Sequence, residues 1–153
     1  MKRQLGALQE QTMELISRGY CEDMLEPEKL CISPSDFGFH NAIHRAGKVR
    51  FFDFEFAGWD DPAKAIVDFD LQPRVPVEFK NNVLRKGLPH HYSGLRARCH
   101  ALLPILRLKW ACIILAPLDP VRWVKHNRVG KGHDLADWLQ AKFLLANNYL
   151  DED

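Results

Sequence analysis

Three polar residues, Asp36, Asn41 and Asp53, have the residue types that phosphoryl transfer requires. This reaction needs an oriented hydroxyl, oriented phosphates and neutralised charge, and little covalent help from the protein. A carboxylate beside the attacking hydroxyl can accept its proton, and amide and carboxylate oxygens suit Mg²⁺, which prefers hard oxygen ligands. Asp and Asn also stabilise turns through bonds to their own backbone. The Asp36–Asn41 pair alone therefore does not distinguish a catalytic loop from a structural one.

The elements around these residues are a loop and a hairpin. Residues 31–41 contain Pro, Ser, Gly and aromatic residues without helical or strand periodicity, which predicts an ordered loop. Residues 42–45 and 49–56 are β-rich runs on either side of Ala46-Gly47-Lys48 and predict a β-hairpin. We expect the second strand to bring Asp53 to the loop, with Glu55 on the same strand face.

The rest of the sequence predicts helices. Asp60 or Asp61 can cap a helix over residues 63–69, with Pro62 in its first turn and a break at residues 72–76. The other predicted helices cover residues 3–19, 77–86, 92–115, 117–127 and 134–150. Pro104 should bend or split the longest one. The predicted fold class is therefore α+β and mostly helical, with one small β-hairpin, in a single domain over residues 1–153.

At these motifs the sequence resembles the aminoglycoside phosphotransferase and choline kinase-like family, relatives of the protein kinases. That family shows His-Gly-Asp-x-x-x-x-Asn, a short hairpin, then Ile-Asp-Phe-Glu and Gly-Asp-Pro. The matching segments here are Ser33-Pro-Ser-Asp-Phe-Gly-Phe-His-Asn41 and Phe52-Asp-Phe-Glu-Phe-Ala-Gly-Trp-Asp-Asp-Pro62. The resemblance implies a protein-kinase-like C-terminal lobe in which Asp36 is the catalytic base and Asn41 and Asp53 bind Mg²⁺ and, through it, ATP. The implied reaction transfers the γ-phosphoryl of ATP to a hydroxyl of a small molecule.

The sequence departs from the family pattern in three places. Pro34-Ser35 replaces His-Gly, and Ala65 stands where an Asp often follows Asp-Pro, with Asp68 nearby. The 35 residues before Asp36 contain no Gly-rich loop, no strand-borne Lys and no helical Glu to pair with it. We therefore expect a C-terminal lobe without its nucleotide-clamping N-terminal lobe, completed by a partner chain or a homo-oligomer. The alternative is a non-catalytic, kinase-like remnant that acts as a binding or interaction module.

Composition limits the other function classes. With 46% hydrophobic and 27% charged residues, the chain has the composition of an ordinary globular protein. Its net charge of +1 provides no general attraction for nucleic acid or acidic lipid. We see neither an apolar run approaching the ~20 residues of a membrane span nor a secretory signal at the start, and so expect a cytoplasmic protein without a membrane partner. The basic and aromatic segment 122–133 could contact phosphate or nucleic acid, but a solvated helix face and loop is the simpler interpretation.

Several other residues have simple structural interpretations. The four cysteines form no C-x-x-C pair and are expected to be reduced core residues: Cys21, Cys31, Cys99 and Cys112. His40 is expected to pack or to form hydrogen bonds within the loop, and not to contact substrate. Trp59 and Trp110 are expected in the core.

Overall fold

The computed structural model describes residues 2–18, 25–36, 38–75, 94–118 and 135–151. The helices are α1 (Lys2–Ser17), α2 (Pro62–Leu71), α3 (Leu95–Leu115) and α4 (Leu135–Leu150). The strands are β1 (Cys31–Ser33), β2 (Ala42–Arg45), β3 (Lys48–Phe51) and β4 (Gly58–Asp60). The α+β, mostly helical fold class is therefore confirmed. The helix predicted at residues 77–86 lies outside the described residues, as does the one at 117–127 except for its first two residues.

The chain divides into two compact units, one formed by Met1–Glu14 with Arg107–Asp153 and the other by Leu15–Leu106. The second unit contains all three candidate site residues. In its core, side chains spaced three or four residues apart on α2 meet a similar stripe on α3. The buried members of this cluster are Ala63, Val67, Leu95, Cys99 and Leu106. In the first unit, the buried side chains include Trp110 on α3 and Tyr149 on α4, and burial raises the pKa of the Tyr149 hydroxyl to about 12.

The start of α2 is fixed by Asp61. Its Oδ1 accepts a hydrogen bond from the Ala63 N–H at 2.8 Å, and Pro62 occupies the first turn, where no N–H is needed. Asp61, and not Asp60, is therefore the N-cap. Its other carboxylate oxygen accepts a 2.5 Å hydrogen bond from Nε of Arg98, which ties the cap to α3.

Two small antiparallel sheets precede α2. In the predicted hairpin, Ala42 pairs with Phe51 and Arg45 with Lys48. Ala46 and Gly47 form its turn with φ of 51° and 72°, and positive φ at both central residues matches the right-handed twist of the strands. The second sheet pairs β1 with β4 and was not predicted from the sequence. The segment 31–41 is therefore a loop only after Ser33.

The second hairpin strand is shorter than predicted. It ends at Phe51, and the chain then turns, with the Ala57 N–H donating to the Phe54 carbonyl at 3.0 Å, before it returns as β4. Asp53 has φ of 65°, a left-handed conformation that no strand residue adopts. The prediction that Asp53 and Glu55 lie on one strand face was therefore wrong.

Other predictions also need correction. Pro104 lies inside α3 but does not split it. Trp59 is 71% exposed and is not a core residue, whereas Trp110 is buried as expected. Of the three described cysteines only Cys99 is buried; Cys31 is half-buried and Cys112 is exposed, and all three are free thiols.

One helix in the described part of the chain, Leu95–Leu118, is long and apolar enough to cross a membrane by length and composition alone. Its apolar window has a mean hydropathy of 1.8, and charged residues such as Arg107 and Lys109 lie within the helix, so its apolar residues do not form an uninterrupted run. The core helix of a globular protein meets the same criterion, and Leu95, Cys99 and Leu106 of this helix are core residues.

Candidate active site

Asp36 lies in a tight loop that follows β1. Its N–H donates to the Pro34 carbonyl at 2.8 Å, and the Ser35 N–H donates to Oγ of the buried Ser33 at 3.1 Å. Ser35 has φ of 62°, a conformation that places Cβ against the backbone in any residue except glycine. The Asp36 side chain is 47% exposed. The loop therefore presents this carboxylate to solvent at the cost of one strained residue.

Asn41 is buried behind Asp36 at the end of a single 3₁₀ turn, Phe39–Asn41. Its Nδ2 donates to the Asp36 backbone carbonyl at 3.0 Å and lies 3.5 Å from Asp36 Oδ2. Both partners only accept, so the amide nitrogen must face them. Oδ1 of Asn41 accepts no hydrogen bond from the described residues. The contact thus fixes the amide with its nitrogen towards Asp36 and its carbonyl oxygen directed away from it.

Two further side chains hold the Asp36 carboxylate. Nε2 of Gln72 donates to Oδ1 at 3.0 Å, and Nε2 of His40 lies 3.2 Å from Oδ2. A carboxylate only accepts, so a neutral His40 carries its proton on Nε2, and its buried Nδ1 has no hydrogen-bond partner among the described residues. The expected loop-bonding role of His40 is therefore confirmed. Gln72 was not predicted from the sequence, because a polar residue after a helix gives no sign of a contact 36 residues away.

Asp53 is connected to this loop by a backbone hydrogen bond of its neighbour Phe52. The Phe52 N–H donates to the Asn41 carbonyl at 3.0 Å, so the residue next to Asp53 is joined to the residue that orients Asp36. The Asp53 side chain is exposed. Among the described residues it forms no hydrogen bond or ion pair with Asp36 or Asn41. The structure brings Asp36 and Asn41 into contact and places Asp53 next to them in the backbone hydrogen-bond pattern only.

The acidic residues around α2 have structural partners. Lys64 contacts Asp60 and lies 3.3 Å from Oδ2 of the buried Asp68. Burial lowers the pKa of the Lys64 ammonium, but its hydrogen bonds to Asp60 and Asp68 outweigh that effect and leave the pKa above its usual value. Asp61 holds Arg98. These carboxylates therefore stabilise the fold and are not free to attract a cationic substrate.

A large apolar surface surrounds the loop and the hairpin. Nine large hydrophobic side chains between residues 32 and 59 are exposed: Ile32, Phe39, Ile43, Val49, Phe51, Phe52, Phe54, Phe56 and Trp59. One of them, Phe39 of the 3₁₀ turn, also packs edge-to-face on Phe69, with the ring centroids 6.2 Å apart. Globular proteins rarely leave apolar patches larger than a few hundred Å² uncovered. This is the exposure expected of a lobe that another lobe or chain covers.

The donor set suits magnesium better than a softer metal. In the described part of the chain no group of three or more His, Cys, Asp or Glu side chains is placed to hold a metal ion. An amide oxygen from Asn41 and a carboxylate from Asp53 are the hard ligands that Mg²⁺ accepts while phosphate oxygens and water complete its shell. Comparisons of the chain with family models, with curated proteins and with solved structures found no match.

Proposed function

We propose that the chain is the catalytic lobe of an aminoglycoside phosphotransferase-like kinase, which transfers the γ-phosphoryl of ATP to a hydroxyl of a small molecule. The observation that carries this proposal is the hydrogen bond from the Asn41 amide to the Asp36 carbonyl. It holds Asn41 against a loop whose Asp36 carboxylate is 47% exposed, so one short loop would supply a base and, through the amide oxygen of Asn41, a metal ligand.

Each residue has a defined part in this reaction. Asp36 accepts the proton of the attacking hydroxyl, and Asn41 and Asp53 bind the metal ion through oxygen. When bound, Mg²⁺ supplies charge neutralisation at the phosphates. In the resembling family, His-Gly precedes the aspartate and supports the loop, whereas Pro34-Ser35 stands at that place here. Gln72 and His40 contact the Asp36 carboxylate instead.

Backbone conformation gives independent support. Ser35 occupies the position at which the resembling family has glycine, and its φ of 62° is one that glycine adopts without strain. Asp53, the second proposed metal ligand, also has positive φ. Such strained residues persist only where the surrounding structure holds them, and they concentrate at functional sites.

The exposed apolar residues favour a second lobe over this surface, from a partner chain or a further copy of this chain. They also favour the alternative function, a non-catalytic module that uses the same surface to bind another protein. In that alternative, Asp36 and Asn41 stabilise the loop and nothing more.

Calorimetric titration of Mg-ATP into the purified chain, followed by a phosphoryl-transfer assay with a panel of small alcohols, separates the two functions. We expect Mg²⁺-dependent nucleotide binding that is weakened in Asp53→Ala and kept in Asp137→Ala, which removes an exposed carboxylate on α4. If the unmodified chain binds no Mg-ATP, with or without a partner, the catalytic proposal is wrong and the interaction module is favoured.

A further inference from the structure

We infer that Gln72 is a positioning residue for the carboxylate of Asp36, an inference that rests on the proposed function because it takes Asp36 as the base. Gln72 follows the last residue of α2 and is only 5% exposed. Its Nε2 donates to Asp36 Oδ1 at 3.0 Å. Gln72 lies outside the sequence motif that contains Asp36, Asn41 and Asp53.

The orientation of the Gln72 amide is fixed from both ends. Oε1 accepts from the Arg74 N–H at 3.4 Å, while Nε2 faces a carboxylate that can only accept. Exchanging the two atoms would place oxygen against oxygen and an NH₂ group against an N–H. The backbone of Gln72 is held as well, since its N–H donates to Phe69 and its carbonyl accepts from Val75.

Glycine at position 38 allows the loop to pack closely against Gln72. A Cβ at Gly38 would lie 3.2 Å from Cγ of Gln72 and 2.7 Å from Nδ1 of His40. Phe39 packs edge-to-face on Phe69 one turn before Gln72. The 3₁₀ turn and the end of α2 therefore hold the donor and the carboxylate at a fixed separation.

A neutral donor in this place suits a base. Gln72 and His40 contact different oxygens of Asp36, which restrains rotation of the carboxylate about its last bond. Oδ1 accepts only from Gln72 among the described residues and can accept a second hydrogen bond, so the half-exposed side chain can still meet a hydroxyl. An amide orients the group without placing a positive charge beside it, as an arginine would. Orientation of this kind accounts for a large share of the rate in phosphoryl transfer.

The test compares Gln72→Met, which removes the donor, with Gln140→Met, which makes the same change at an exposed position on α4. We expect Gln72→Met to lower kcat by about 10- to 100-fold while the affinity for Mg-ATP changes by less than about twofold, because Gln72 contacts the base and not the metal ligands. In an Asp36→Asn background it should cause no further loss. Gln72→Glu keeps the size of the side chain and the acceptor for Arg74 but places a second carboxyl group against Asp36, and because two carboxylates at this distance repel each other or share a proton, it should lower kcat at least as much as Gln72→Met.

The same contact can be observed without turnover. In a ¹H–¹⁵N spectrum of the full chain, Asp36→Ala should shift the side-chain amide signals of Gln72 and leave those of Gln140 unchanged. Unshifted Gln72 signals would overturn the inference, as would wild-type kcat in both Gln72 variants or an equal loss in the Asp36→Asn background. If the wild-type chain neither binds Mg-ATP nor transfers phosphate, the proposed function itself is overturned and the positioning role with it, even where the spectra show the contact.

Discussion

At the scale of single residues, the proposed function gives the two carboxylates of the candidate site different tasks. Asp36 is surrounded by donors from Asn41, His40 and Gln72, whereas Asp53 is exposed and strained. A base acts on the acceptor hydroxyl, while a metal ligand acts on the nucleotide. Substitutions of the two residues should therefore differ in their effect on nucleotide affinity more than in their effect on turnover.

We expect Asp36→Asn to lower turnover by about 10²–10⁴-fold, the usual value of general-base catalysis, with nearly unchanged Mg-ATP affinity. Asp53→Ala should weaken Mg-ATP binding as well as turnover, because it would remove a charged residue that would hold the metal ion. Calorimetry of Mg-ATP with each variant measures the contrast. Equal affinities in the two variants would show that the roles are assigned wrongly.

The strain at Ser35 gives a prediction about stability. A Cβ in the left-handed region costs roughly 1–2 kcal/mol, whereas glycine costs about 0.5–1 kcal/mol of extra chain entropy. Ser35→Gly should therefore raise the free energy of unfolding by up to about 1 kcal/mol. Urea denaturation measures it, with Ser35→Ala as the control that keeps the Cβ and gains nothing. A destabilised glycine variant would mean that the serine side chain stabilises the loop.

At the scale of elements, α2 connects the site to the core. Its first turn is capped by Asp61 and tied to α3 by Arg98, its middle buries Ala63 and Val67, and its end presents Gln72 to the loop. Burying a side chain the size of Val67 contributes about 1.5–3 kcal/mol to the stability of the fold. The contact between Gln72 and the candidate loop therefore places the loop beside an element that is anchored to the core at its other end.

Asp61→Ala should lower the free energy of unfolding by about 2 kcal/mol or more, since it removes a cap worth about 1 kcal/mol and leaves a largely buried Arg98 without its carboxylate. Asp61→Asn separates the two effects, because asparagine caps a helix as well as aspartate but does not neutralise Arg98. Thermal or urea unfolding of both variants measures the difference. If Asp61→Asn is as stable as the wild type, the ion pair with Arg98 contributes nothing, and if the two variants are equally stable, the cap contributes nothing.

The local elements could be predicted from the sequence, and the contacts between distant segments could not. Asp-Asp-Pro marks the start of α2, and β-branched residues around Ala46-Gly47 mark the hairpin, because caps and turns depend on neighbours in the chain. The three-residue strands β1 and β4 are too short to show a period. The exposure of Trp59 and the hydrogen bond from Gln72 to Asp36 depend on tertiary packing. Composition does not predict such packing.

At the scale of the whole molecule, the exposed apolar residues of the hairpin and the following turn predict association. Phe54 and Phe56 are exposed, and they make none of the contacts that hold the candidate loop. Substituting both with serine should leave the free energy of unfolding nearly unchanged and abolish self-association. Sedimentation over a concentration series measures this, with Leu144→Ser as the matched control on α4. A wild-type chain that stays monomeric throughout would contradict a homo-oligomer.

The buried thiol of Cys99 makes folding of the second unit a proton-linked process at alkaline pH. Desolvation, with smaller contributions from Asp61 and Asp70, raises its pKa to about 11 from an ordinary value of 9.0. Between these two pH values the unfolded chain releases a proton that the native chain keeps. The contribution of the protonated Cys99 thiol to stability is therefore complete below pH 9 and is lost as the pH rises towards 11, by about 1.4 kcal/mol per pH unit. Cys99→Ala should therefore flatten the decline in stability over that range by about one proton, while Cys112→Ala, at an exposed position, should not. Equal slopes in the two variants would show that the Cys99 thiol ionises as readily in the folded chain as in the unfolded one.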